Sequence, residues 1–338
     1  MAGALAAAAR HAIDDKTKPL GSLGDLETWA VQLAEIQGTL TPRIDRARMI
    51  VFGADHGVAH EGVSAYPPQV TAEMMRNFAR GGAAINVLAR TNGLEIEVID
   101  VGVDADLSTL SELVHAPVRR GSRNMLHEPA MTDAERDQAM TVGRDAVRRA
   151  AAAGVRAVGL GEMGIGNTTA AAAVLSALTG APPAETVGRG TGVDDARLAH
   201  KRLVVARALT CHVACTTPLA ILGALGGLEL AAIAGAALEA PHQSMAIVAD
   251  GFISTVATLA AVRIDPSIRS FVFCSHRSAE SGHTLALDAL GARPMLDLGL
   301  RLGEGSGAAL AIPLLRSAAA ILSDMATFAH AGVSREST

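Results

Sequence analysis

The chain has 338 residues, 49% of them hydrophobic, and a formal net charge of −5, with 29 basic residues spread along it rather than clustered. That size buries a large core in one or two domains, and that charge balance excludes an electrostatic grip on a nucleic-acid backbone. Three cysteines without a CxxC pair, Cys211, Cys215 and Cys274, fit reduced thiols in a cytoplasmic protein, and residues 1–10 lack the basic leader of a signal peptide.

Residues 1–40 carry two amphipathic helical patterns separated by a loop with Lys16, Lys18, Pro19, Gly21, Ser22 and Gly24. The second pattern runs from about Asp25 to Ile36 and puts Leu26, Trp29, Leu33 and Ile36 on one face. The loop's lysines and serine could touch a ligand, but a solvated loop is the commoner explanation of such residues. From Arg48 the pattern alternates, with candidate strands at 49–52, 96–101, 155–160, 246–249, 270–273 and 295–298 and helical stretches between them. This predicts an α/β fold: a parallel sheet with helices on both faces, in a Rossmann-like three-layer arrangement. Five strands run into polar groups, namely Asp55-His56-Gly57, Asp100, Glu162, Asp250-Gly251 and Ser275-His276-Arg277-Ser278. Ligands of open parallel sheets bind beyond the carboxyl ends of the strands, so these loops are expected to meet in one crevice.

After the first strand, Tyr66-Pro67-Pro68 leads into a helix from about Thr71 that carries Glu73, Met74 and Phe78; a glycine-entered helix follows at 81–90, and 119–124 reads as a solvated basic loop. The stretch 155–170 reads as strand, turn and helix. Gly161, Gly164 and Gly166 form the turn, with Glu162 inside it, and Asn167, Thr168 and Thr169 cap an alanine-rich helix at 170–178. A helix start offers free amides and a positive dipole end, which suit a phosphate. A tight connection that binds nothing would carry the same glycines; the carboxylate tilts the reading towards a site. The pattern is neither a P-loop, since no Lys follows the last glycine, nor a clean GxGxxG.

Further on, Gly188, Gly190 and Gly192 alternate and can form an anion nest, with Lys201 about two helical turns beyond Asp194. A flexible interdomain loop is the alternative. Cys211-His212-x-x-Cys215 reads as helical core packing rather than a metal site, and 219–238 as buried helix. Glu304 lies between glycines ahead of a last apolar helix, where ordinary helix-dipole chemistry would also place a carboxylate. With eight aromatic residues in all, a base pocket here must be walled by aliphatic side chains.

Six segments in order, 18–24, Asp55-His56-Gly57, 161–169, 188–192, Asp250-Gly251 and 301–307, resemble the nicotinate-nucleotide:dimethylbenzimidazole phosphoribosyltransferase family of cobalamin nucleotide-loop assembly, over residues 14–333. The resemblance implies transfer of a phosphoribosyl group from nicotinate mononucleotide to 5,6-dimethylbenzimidazole, with inversion at the anomeric carbon and with neither cofactor nor metal. It implies Glu304 as the general base and Glu162 beside the reaction centre. Phosphate and ribose contacts map onto Gly164, Gly166, Asn167, Thr168, Gly190, Gly192, Lys201, Asp250, Gly251 and Ser278. The base pocket maps onto Ser64, Tyr66, Glu73, Met74, Met163 and Leu302. It further implies a cytoplasmic homodimer acting on small molecules, away from nucleic acid and membrane, and a small helical domain from both chain ends (1–45 and 305–338) on a large α/β domain (46–304). Two other readings stay open: a Mg²⁺-dependent transferase using phosphoribosyl pyrophosphate through Asp194-Asp195, and a nucleotide-sensing module without catalysis.

Overall fold

The computed structural model describes residues 2–190 and 192–334; Thr191 of the glycine-rich motif lies outside them. The first elements are α1 (Ala2–Asp14), α2 (Asp25–Gln37), β1 (Ala47–Ala54), α3 (Val70–Ala79), α4 (Ala84–Thr91), β2 (Glu95–Gly102), β3 (Leu113–His115) and α5 (Asp133–Ala152). Next come β4 (Ala157–Met163), α6 (Asn167–Thr179), α7 (Pro183–Thr186), α8 (Asp195–Cys211), α9 (Pro218–Leu225), α10 (Leu228–Glu239), β5 (Ala246–Ala249) and α11 (Phe252–Ile264). The last are β6 (Val272–His276), α12 (Gly282–Leu290), β7 (Pro294–Leu296), α13 (Ser306–Asp324) and α14 (Phe328–Ala331).

All strand pairs are parallel, and the sheet order is β3-β2-β1-β4-β5-β6-β7. The winding direction reverses between β1 and β4, which opens a crevice beyond their carboxyl ends. Alternation along β1 shows why both faces are covered: Ile50 and Phe52 belong to one apolar cluster, Met49 and Val51 to the other. The first cluster takes in α5, α6, α9, α10 and α11; the second takes in α1, α2, α4 and α13. On the second face β4 offers Gly159 and Gly161, where a methyl group would run into Met49 and Ala308 or into the Glu304 backbone. Glycine here lets α13 and its leading turn lie directly on the strand. That helix is long and apolar enough to cross a membrane by length and composition, but 56% of it is buried inside the fold.

The structure corrects several expectations. β4 continues to Met163, so Gly161 and Glu162 are strand residues rather than turn residues. Helix α6 starts at Asn167 with Gly166 as its cap, and no side chain caps it, so Asn167, Thr168 and Thr169 lie within its first turn. The run 219–238 breaks at Gly226-Gly227 into α9 and α10. Strand β6 lies at 272–276, because Ser270 belongs to a 3₁₀ turn (Pro266–Phe271), and β3 was not anticipated. Cys211 is exposed at the end of α8 rather than packed in the core. Lys18 is buried against Glu27 at 2.9 Å and Lys16 donates to the Met325 carbonyl at 2.7 Å, so this loop is an internal clasp, not a solvated one.

Candidate active site

A cavity of about 510 Å³ lies beyond the carboxyl ends of β4 to β7. It gathers twelve of the eighteen residues expected in the site: Glu162, Met163, Gly164, Asn167, Thr168, Gly190, Gly251, Ser278, Leu302 and Glu304, with Tyr66 and Met74 from the segment after β1. One end is apolar, formed by Tyr66, Val70, Met74, Met163 and Leu302.

Glu304 stands beside that apolar end in a left-handed conformation (φ 63°), between Gly303 and Gly305 at φ 86° and 91°. A non-glycine residue held there costs about 1–3 kcal/mol and needs its surroundings to enforce it. Gly161 supplies the space beneath, and the Asp250 carboxylate enforces the turn by accepting from the amides of Gly305 (3.1 Å), Gly307 (2.7 Å) and Ala308 (3.0 Å). One Glu304 oxygen accepts from the Ile85 amide at 3.3 Å, in the first turn of α4. Among the described residues the other oxygen has no protein donor. Burial pushes the Glu304 carboxyl above its usual range, and the Ile85 amide pulls against that shift.

Glu162 ends β4, 6% exposed, and accepts from the Asn167 side-chain amide. Burial, then the neighbouring charges of Asp250, Glu229 and Glu304, push its carboxyl up to about 8. At neutral pH it is therefore largely the protonated acid. The residue above it must be glycine, since a Cβ at Gly303 would collide with Glu162 Oε1.

Elsewhere in the cavity wall stand groups of a kind that suits an anion. The starts of α6 and α11 both open into the cavity, through Asn167 and Thr168 and through Gly251, Phe252 and Ile253. Lys201 is 1% exposed; its ammonium donates to Thr168 Oγ1 at 2.7 Å and to the Gly188 carbonyl at 3.2 Å. Burial lowers its pKa to about 8, with Glu280 pulling the other way. Gly190, at φ 53°, passes over both groups, where a side chain would meet Thr168 Oγ1 at 2.8 Å. Ser278 is fixed in the wall because its amide donates to His283 Nδ1 at 2.8 Å.

Six expected residues stand elsewhere. Lys201 backs the wall behind Thr168, and Asp250 is a buried brace whose two oxygens are taken by the start of α13. Gly166 lies beneath the turn, against His56 and Ala59, and Gly192 has open space around it. The Ser64 hydroxyl accepts from the Tyr66 amide at 3.2 Å outside the cavity wall. Glu73, one helical position from Met74 and so about 100° round α3, lines a second cavity of about 630 Å³ with Asp55, His56, Arg76, Asp104 and Arg120. The strand-end loops therefore do not share one crevice: those after β4 to β7 line the first cavity, whereas Asp55 belongs to the second and Asp100 binds the Val103 amide. Segment 119–124 packs there too, with Ser122 buried, rather than lying in solvent.

His276, expected in the crevice from its strand-end run, and Arg301, which the sequence marks only within the 301–307 segment, both line the first cavity, as does Glu280, which sequence reasoning missed. Glu280 was within sight, two positions past Ser278. Sequence reasoning also missed the buried His56–Glu229 pair, with Nε2 and Oε1 at 2.6 Å, under the Gly164–Gly166 turn. The acid pair Asp194-Asp195 does not enter the cavity: Asp194 caps α8 through the Arg197 amide at 2.8 Å, and Asp195 pairs with Arg189 on the surface. That removes the feature on which the pyrophosphate-dependent alternative rested.

Two helix starts, an apolar stretch of wall and two buried carboxyls, both raised above their usual range, suit a phosphorylated sugar carrying a flat base. A phosphoribosyltransferase family model matches residues 1–333. The nicotinate-nucleotide–dimethylbenzimidazole phosphoribosyltransferases of Cupriavidus necator and Chromobacterium violaceum are 53% and 54% identical over 96% and 98% of this chain, and over 94% and 96% of their own lengths. The crystal structure of CobT from Thermus thermophilus superimposes with a TM-score of 0.96 at 49% identity, covering 98% of this chain and all of that one. The chain belongs to the nicotinate-nucleotide–dimethylbenzimidazole phosphoribosyltransferase family.

Proposed function

We propose that this cavity transfers the 5-phosphoribosyl group of nicotinate mononucleotide to 5,6-dimethylbenzimidazole or a related azole, giving α-ribazole 5′-phosphate and nicotinate. The single observation that carries the assignment of roles is that one cavity gathers the two buried carboxyls, Glu304 and Glu162, with the start of α6, where Thr168 is backed by Lys201. The pyridinium substrate carries its own electron sink. A benzimidazole nitrogen forms the new bond to the anomeric carbon as the bond to nicotinate breaks, and nicotinate leaves with the electron pair as a neutral ring nitrogen. The other benzimidazole nitrogen then loses its proton to the free oxygen of Glu304, whose raised basicity suits the task. Neutral Glu162 acts through its dipole and its O–H rather than as a second anion. Unequal protonation of neighbouring carboxyls divides such roles.

The phosphate is held by Thr168 at the start of α6 and by Ser278, with the Lys201 charge behind Thr168. Aliphatic walls take the base. We include in the proposal a cytoplasmic homodimer, for which the exposed Tyr66 and Leu302 on the cavity wall are a supporting feature, and a small helical unit of 1–45 and 305–338, supported by the packing of α1, α2 and α13 together. The test is chromatographic: purified protein is mixed with nicotinate mononucleotide and a panel of azoles. Stoichiometric nicotinate and α-riboside are expected. Binding without product would favour a sensing module.

A further inference from the structure

Resting on that reading, we infer that Glu280 is a specificity-determining residue that accepts a hydrogen bond from a ribose hydroxyl of the nucleotide. Glu280 follows β6, lines the cavity and is 8% exposed. Its Oε2 is buried without a hydrogen-bond partner among the described residues. A buried carboxylate left without donors is costly, and a carboxylate only accepts. The group meant to meet it therefore brings donors of its own.

Its place in the cavity selects among the donors a nucleotide can offer. Gly188 packs closely against Glu280, with Oε2 close to where a Cβ would stand, while the Gly188 carbonyl accepts from the Lys201 ammonium at 3.2 Å. The Glu280 carboxylate and the Lys201 ammonium thus lie about one backbone strand, Gly188. The Lys201 side, with Thr168 and the α6 start, holds positive potential for the phosphate; the Glu280 side repels that dianion. The Glu280 backbone amide donates to Ser278 Oγ at 3.3 Å, which fixes the start of its side chain beside the phosphate wall. Between a phosphate at Thr168 and an anomeric carbon at Glu162 lies the sugar, and its hydroxyls are donors.

The experiment compares kcat/KM for nicotinate mononucleotide with its 2′-deoxy and 3′-deoxy forms in the parent, Glu280→Gln and Glu280→Ala, reading the change in each ratio so that intrinsic differences in glycosidic reactivity cancel. A bond to a charged acceptor predicts that the ribo-to-deoxy ratio for one of the two positions falls about 10- to 100-fold in Glu280→Ala, with Glu280→Gln between it and the parent. Glu280→Gln keeps the side-chain shape and decides the matter if the alanine variant does not fold. A role confined to supporting the Lys201 charge predicts instead an equal rise of KM for all three nucleotides; unchanged ratios overturn the inference while leaving the transfer reaction in place. Absence of turnover in the parent overturns both.

Discussion

Gly161 and Glu304 are packed backbone to backbone: a methyl group at Gly161 would stand 2.5 Å from the Glu304 carbonyl oxygen. The strand residue thereby sets the height of the turn that carries the carboxylate. Gly161 has an ordinary strand conformation, so Gly161→Ala adds no backbone strain of its own and acts only by lifting the turn. The expected cost is about 1–3 kcal/mol of stability from overpacking, with a fall in kcat of about 10²-fold from misplacing Glu304 and little change in KM for nicotinate mononucleotide. Denaturant titration beside steady-state kinetics checks it; normal kcat in a folded variant would separate the turn's height from catalysis.

Glu304→Gln preserves shape but takes up no proton. Turnover is expected to drop about 10²–10⁴-fold while both substrates still bind. In the parent, the acid limb of the kcat/KM profile should sit above the ordinary glutamate range, because burial raises this carboxyl, and it should vanish in the variant. More than about a tenth of parental turnover would reassign the base.

Lys201 bears on ground-state binding. Its charge lies behind Thr168, remote from the reacting carbon, so Lys201→Ala should raise KM for nicotinate mononucleotide with a smaller effect on kcat. A bound phosphate favours the charged amine, and in the free protein that amine titrates near 8. Calorimetry at pH 9 in buffers of different ionisation enthalpy should therefore register proton uptake on binding, and none in Lys201→Ala.

Stability should fall between pH 6.5 and 8. Glu162 is raised from 4.5 to about 8 and Asp250 from 3.8 to about 7, and a raised carboxyl stabilises the fold below its unfolded pKa and loses that contribution as pH climbs through the folded one. His56, whose burial lowers it while the Glu229 carboxylate more than offsets that effect, is raised and acts in the same direction. His276 and His283, lowered to about 4 and 3, oppose the trend only below about 6.5. Melting temperatures across this window should decline in the parent and decline less in Glu162→Gln; a flat parental curve would contradict the burial of an ionisable Glu162.

How legible these features were depends on how locally they are encoded. Apolar runs such as those of β1, β4, β5 and β6 announce strands by themselves, and Glu162 near the end of β4, with Thr168, Gly251 and Ser278 just beyond β4, β5 and β6, comes into view with them. β3 is three residues long and has no such run. The end of β4 was misread because glycines at 159 and 161 look like turn residues, when their cause is the helix lying on them. The direction of a side chain on α3 is set by how the whole helix docks, so Met74 and its neighbour Glu73 could not be told apart from composition. The His56–Glu229 pair spans 173 positions, and no local pattern marks it.

The clasp between the chain's two ends bears on the order of events at the ribosome. Helices α1 and α2 emerge first with Ala30, Leu33 and Ala34 still uncovered, and the partner that covers them, α13, is made after all seven strands. The same helix brings Glu304 into position and receives the Asp250 brace from β5. A nascent chain halted before residue 304 lacks the proposed base and leaves the apolar face of α1 and α2 without its cover. The proposed base thus joins its site only when the last long helix docks onto the first two.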